Sequence, residues 1–168
     1  MDFHETGEQR ALRDTVAAIA GEFGAEYYAA KAAAGEPCSE LWRALGRSGF
    51  LGINLPDEYG GGGGGLIELA MVCEEVAAAG VPLSLLLVSA AISGEMIPEF
   101  GSPEQRAQWL PRMASGESKV VFGITEPEAG SNIHRLSTAA RCDGGDSTAW
   151  AWPAPTETLA RTLRCRPY

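Results

Sequence analysis

Up to Gly116 the apolar residues of this chain recur at helical spacing, and from Lys119 onward they do not. Leu12, Val16, Ile19, Phe23 and Tyr27 follow one another at intervals of four, three, four and four, which makes one apolar helical face. Thr6-Gly7-Glu8-Gln9 in front of them is a capping box, in which the Thr6 hydroxyl and the Gln9 side chain satisfy free N–H groups at a helix start. Ser39 is placed to cap a shorter helix bearing Leu41, Trp42 and Leu45, with Gly49 ending it. Leu66 to Ala79 predicts a helix with one acidic and one apolar face. The nearly all-apolar stretch from Pro82 to about Phe100 predicts a helix buried on several sides. Ser102, Pro103 and Gln105 supply the cap, first residue and box of a last helix, which carries Trp109, Leu110 and Met113. Gly116 breaks that helix, and a strand is expected from Lys119. These boundaries divide the chain into a helical domain over 1–116, a β opening over 117–146 and a tail over 147–168.

Two connections carry less obvious signals. Phe50 to Pro56 is an apolar connector, expected to pack under the helices. Gly60 to Gly65 is a run of six glycines. A phosphate cradle would need a strand before it and Lys-Ser/Thr after it; neither is present, so the run predicts a mobile loop.

The net charge of −9 excludes an extended nucleic-acid surface and docking on anionic membranes. It is unevenly spread: residues 1–132 hold 8 basic against 19 acidic groups, and the remainder 5 against 3. Cys38, Cys73, Cys142 and Cys165 form no C-x-x-C pair and have no histidine at ligand spacing, so no metal site is expected. The N-terminus lacks the basic start and apolar core of a signal peptide. Val81 to Ile92, the longest apolar run, is too short to span a bilayer. A cytoplasmic location is the expectation.

The segment with the most chemistry in it is Val121-Phe122-Gly123-Ile124-Thr125-Glu126-Pro127-Glu128-Ala129-Gly130-Ser131-Asn132. Val120 to Ile124 reads as a buried strand that stops where Pro127 pushes Glu126 out of the helical region. The Ala-Gly-Ser-Asn turn then offers free backbone N–H groups and small hydroxyl side chains. Such a loop suits a polar, planar, phosphate-bearing ligand. The segment resembles the first flavin-contacting loop of the acyl-CoA dehydrogenase family, whose pattern is aromatic-x-apolar-Thr-Glu-Pro-x-Ala-Gly-Ser-[Asp/Asn]. Leu41 to Leu45, Gly52 to Gly61 and Phe100 to Pro111 are similar to other segments of that family in the same order, so the resemblance covers roughly Thr6 to Asp146.

The resemblance implies a mainly α chain: an N-terminal helical bundle of the acyl-CoA dehydrogenase type, followed by an incomplete β domain. It implies FAD as cofactor and α,β-dehydrogenation of an acyl-CoA thioester. In that reaction a carboxylate takes the α-proton, a hydride passes to the flavin, and the electrons go on to an electron-transfer flavoprotein. It places Phe122, Ile124 and Thr125 along the flavin ring, and Gly130 and Ser131 at the flavin phosphate, with Ser131 also meeting the acyl-CoA chain. It implies a homo-oligomer at full length, and a catalytic base in a second helical bundle outside these residues, so no catalytic residue is assigned here. Glu126 is read as structural, satisfying nearby N–H groups, and His4 and His134 as surface residues. After Asp146 the family pattern stops. Pro153 and Pro155 argue against a central strand through Trp150 and Trp152, so an unstructured tail is expected, from a shifted reading frame or a truncated gene. A reading of another class is an acidic helical module, not catalytic, that docks on a related full-length dehydrogenase.

Overall fold

The computed structural model describes residues 4–137, 139–143 and 146–150. They fall into two units, Met1–Phe122 and Gly123–Tyr168.

The first unit is helical. Helix α1, Gly7–Gly21, starts with the expected capping box: the Gln9 N–H donates to the Thr6 hydroxyl at 3.1 Å, and the Thr6 N–H donates to Gln9 Oε1 at 3.0 Å. The apolar face from Leu12 to Tyr27 is divided between two helices. The chain breaks after Gly21 and restarts as α2, Gly24–Ala34, because Gly24 takes φ +72°, a left-handed value that a continuous helix does not contain. Phe23 and Tyr27 still meet edge to face across the break, ring centroids 5.0 Å apart. Helix α3 spans Ser39–Arg47; its cap is Cys38 rather than Ser39, without a side-chain bond, and Gly49 lies just past its end at φ +80°. Helix α4 is Leu66–Ala78.

Val16, Ala20, Leu41, Trp42, Leu45, Val72, Val76 and Leu86 are buried together, so α1, α3 and α4 close on one core. Arg13 ties α1 to α4, reaching Glu74 at 2.6 Å and Glu75 at 2.7 Å while also holding Glu5 at 2.7 Å. These three carboxylates raise the pKa of the guanidinium.

The long apolar helix expected after Pro82 is helical with a wider coil in its middle. Leu86–Ser93 is π-helical and runs into α5, Gly94–Phe100. Asn54 supplies the cause. Its Nδ2 donates to the Ala90 carbonyl at 3.0 Å, which is the acceptor that the Gly94 N–H would use in an α-helix. The Gly94 N–H bonds to the Ser89 carbonyl instead. Helix α6, Pro103–Ala114, carries the expected Ser102–Gln105 box, and its Leu110, Met113 and Ala114 pack with Leu55.

The six glycines are not a mobile loop. The Gly61, Gly62, Gly63 and Gly64 N–H groups donate to the carbonyls of Pro56, Gly52, Leu55 and Ile53 at 3.1, 2.8, 2.9 and 2.9 Å. A Cβ on Gly61 would collide with the Leu55 carbonyl, and one on Gly62 would lie 2.9 Å from Ile53 O. The run is a hydrogen-bonded seam, and glycine lets the two backbones approach this closely. Its N–H groups are spent within the protein.

The strand expected from Lys119, over Val120 to Ile124, is absent. The segment has no regular structure, and Val121, Phe122 and Ile124 are 50%, 43% and 41% exposed. An apolar run becomes a strand only through a neighbour's ladder, and none of the described residues pairs with it. In the second unit β1, Ala139–Asp143, pairs antiparallel with β2, Asp146–Trp150, Ala139 opposite Trp150 and Asp143 opposite Asp146. Residues 147–150 therefore belong to a strand rather than to a tail. Residues 151–168 lie outside the described residues.

Candidate functional site

The Thr-Glu-Pro-Glu-Ala-Gly-Ser stretch in the second unit is organised by a tight turn. Glu126 and Ala129 bond reciprocally, N–H to carbonyl, at 3.1 Å both ways. Pro127 enters this turn with its φ already fixed, which lowers the cost of forming it. Its two end residues are buried, Ala129 fully and Glu126 at 9% exposure, while Pro127 and Glu128 at the tip are exposed.

Glu126 does more than close the turn. Its Oε2 accepts the Ser137 N–H at 2.8 Å and the Ser137 hydroxyl at 2.7 Å. One carboxylate thus fastens both ends of an eleven-residue separation. Within the loop so formed, Asn132 Oδ1 accepts the His134 N–H at 3.2 Å and sets the 3-10 turn Ile133–Arg135. Glu126 is thereby engaged in holding the loop, as read from the sequence. Ser137, its partner, was not singled out from the sequence, because nothing local marks a serine eleven residues on as the far anchor.

The residues assigned to the cofactor are all exposed. Ile124 and Thr125 immediately precede the Glu126–Ala129 turn, and Gly130 and Ser131 immediately follow it. The reciprocal bonds therefore bring the segments carrying these four residues alongside each other. Phe122 ends the helical unit and is 43% exposed.

Gly130 and Gly123 are informative through what does not constrain them. Neither has a left-handed φ, and a Cβ built on either meets nothing within 4 Å. Neither backbone strain nor the chain's own packing calls for glycine at these positions. A bare backbone on an exposed rim, beside a threonine and a serine hydroxyl, fits the approach of a flat polar ring and its phosphate. The residues present thus fit a flavin. Among the described residues no group of three or more His, Cys, Asp or Glu side chains is arranged to hold a metal ion, and no helix is long and apolar enough to cross a membrane.

The family description "Acyl-CoA dehydrogenase, N-terminal domain" matches residues 6–117. The chain is 52% identical over 144 residues to acyl-CoA dehydrogenase FadE12 of Mycobacterium tuberculosis, covering 86% of this chain and 37% of that protein. It is 33% identical over 141 residues to the long-chain specific acyl-CoA dehydrogenase of Sus scrofa mitochondria, covering 84% and 33%. Among solved structures, glutaryl-CoA dehydrogenase from Mycobacterium smegmatis superposes with a TM-score of 0.75 at 34% identity, covering 86% of this chain and 38% of that one. A glutaryl-coenzyme A dehydrogenase in complex with glutaryl-CoA superposes at 0.80 with 28% identity, covering 89% and 39%. The chain spans little more than a third of the length of these relatives.

Proposed function

The chain belongs to the acyl-CoA dehydrogenase family, and from that premise we propose that it supplies the helical domain and the first flavin-contacting loop of an FAD-dependent dehydrogenase of acyl-CoA thioesters. The observation that carries this reading is the loop over 122–131: exposed Ile124 and Thr125 on one side of a fastened turn, and an unconstrained Gly130 with Ser131 on the other. FAD, when bound, would supply the two-electron acceptor that removal of hydrogen from a saturated C–C bond requires. The chain's own contribution is positional. Phe122 and Ile124 present apolar surface to the ring, and Thr125 offers a hydroxyl beside it. The backbone at Gly130 and the Ser131 hydroxyl offer donors to a phosphate, with Ser131 also placed toward the acyl-CoA chain. Glu126 keeps these groups in place and leaves proton removal to a base outside these 168 residues.

On this reading the 168-residue chain alone neither retains FAD nor turns over substrate. An acyl-CoA is the substrate class, an electron-transfer flavoprotein the acceptor, and the full-length assembly a homo-oligomer. The test is a chimera in which residues 1–146 replace the matching segment of the 52% identical relative. Retained yellow colour and bleaching by an acyl-CoA support the proposal; a folded chimera that never binds flavin refutes it.

A docking role is the second reading. It rests on the large apolar residues left exposed between Leu86 and Phe100: Leu87, Ile92, Met96 and Phe100 are 54%, 39%, 52% and 71% exposed. A monomeric elution profile and no association with a full-length relative would count against it.

A further inference from the structure

Within the helical unit, two recesses share Trp42 and Lys119 in their linings. The larger, about 590 Å³, lies between α3 and the chain leaving α6, and it gathers Arg43, Arg47 and Lys119. None of these three forms an ion pair within 4.0 Å among the described residues. That is unusual in a chain with a net charge of −9, where Arg13 and Lys31 are each surrounded by glutamates. Glu117, the one acid in the lining, is held by Arg112 through Nε at 3.0 Å and Nη2 at 2.7 Å. The Trp42 indole is fixed by donating Nε1–H to the Gly116 carbonyl at 3.0 Å, and Lys119 sits over its ring at 5.1 Å. The smaller recess, about 280 Å³, is walled by Tyr28, Pro82, Leu83 and Leu85. Its one carboxylate, Glu36, is paired with Lys31 at 3.0 Å.

We propose that these two neighbouring recesses bind one amphipathic anion across their shared Trp42–Lys119 edge, with its phosphate or carboxylate head at Arg43, Arg47 and Lys119 and its hydrocarbon tail in the recess beside Leu83 and Leu85. Three cations that line one cleft without a carboxylate partner lower their mutual repulsion by taking up an anion. The apolar recess beyond Lys119 gains by taking an aliphatic chain out of water. None of the lining residues is among those assigned to the flavin, so the site stands independently of the proposed function.

The test is calorimetric titration of the 168-residue chain with octyl phosphate and with inorganic phosphate. The expected result is octyl phosphate binding at least about tenfold more tightly, since several methylenes leave water. The Arg43→Gln/Arg47→Gln double variant should weaken both ligands about tenfold, the loss expected on removing charge-assisted contacts. Ala32→Trp, an exposed α2 position on the rim of the apolar recess, should weaken octyl phosphate alone. All three positions are exposed, so the variants keep the core intact, and a thermal melt checks that they do. Equal affinity for the two ligands would overturn the proposal, as would affinity unchanged by the double variant.

Discussion

Gly61→Ala should be among the more damaging single-methyl additions in the helical unit. The added Cβ would meet the Leu55 carbonyl oxygen, with Leu55 C at 2.5 Å and Leu55 Cβ at 2.7 Å. Two of these atoms are backbone, so no rotamer change relieves the clash. Pushing the strands of chain apart costs about 1–3 kcal/mol as overpacking. The seam bonds from Gly61 and Gly62 to Pro56 and Gly52 would lengthen too, at roughly 0.5–1.5 kcal/mol each. Against this, alanine restricts the unfolded chain and returns about 0.4–1 kcal/mol. The net loss is about 1–5.5 kcal/mol, centred on ~3 kcal/mol, which for a unit of this size lowers the melting temperature by roughly 10–15 °C at that centre. A melt followed by circular dichroism reads this directly, with Gly7→Ala as control because its Cβ meets nothing within 4 Å. If Gly61→Ala melts with or above Gly7→Ala, the seam is flexible and the reasoning fails.

Asn54→Ala removes the donor to the buried Ala90 carbonyl and should cost about 1–3 kcal/mol, read in the same melts. Arg13→Gln should lower the melting temperature, and more so at low salt, because Glu5, Glu74 and Glu75 then face one another without their shared cation. The Tyr27 hydroxyl, with help from Lys31, holds the Glu40 carboxyl down at about 2. A depressed carboxylate stabilises the fold above its unfolded pKa and loses that contribution as pH falls through the folded value. Stability should therefore decline between about pH 4.5 and 2. The Glu40 titration seen by NMR should move upward in Tyr27→Phe, and no movement would remove Tyr27 as the cause. Glu126→Ala should free Ser137 and speed amide exchange across 126–137 without changing the melt of the helical unit.

Local chemistry was what the sequence made legible. The Thr6 and Ser102 boxes could be read because donor and acceptor lie three residues apart. Glu126 as a structural carboxylate followed from its place at a loop start. What escaped depended on partners elsewhere. The π-turn at Leu86–Ser93 is set by Asn54, which lies 36 residues from Ala90. Glycine composition alone reads the same for a mobile loop and for a seam, and only the carbonyls of 52–56 decide between them. Val120 to Ile124 has the composition of a strand, but a ladder is a property of two segments and one sequence run cannot supply both. The site was the best-defined part as a motif. Its fastening by Ser137, by contrast, became visible only in three dimensions.

Amide hydrogen exchange over residues 121–132, in the chimera with and without FAD, tests the central claim most directly. Flavin contact by this loop predicts slowed exchange at the amides flanking the Glu126–Ala129 turn, Thr125 and Gly130 among them, when FAD is added. FAD binding that protects other segments and leaves 121–132 unchanged would contradict it.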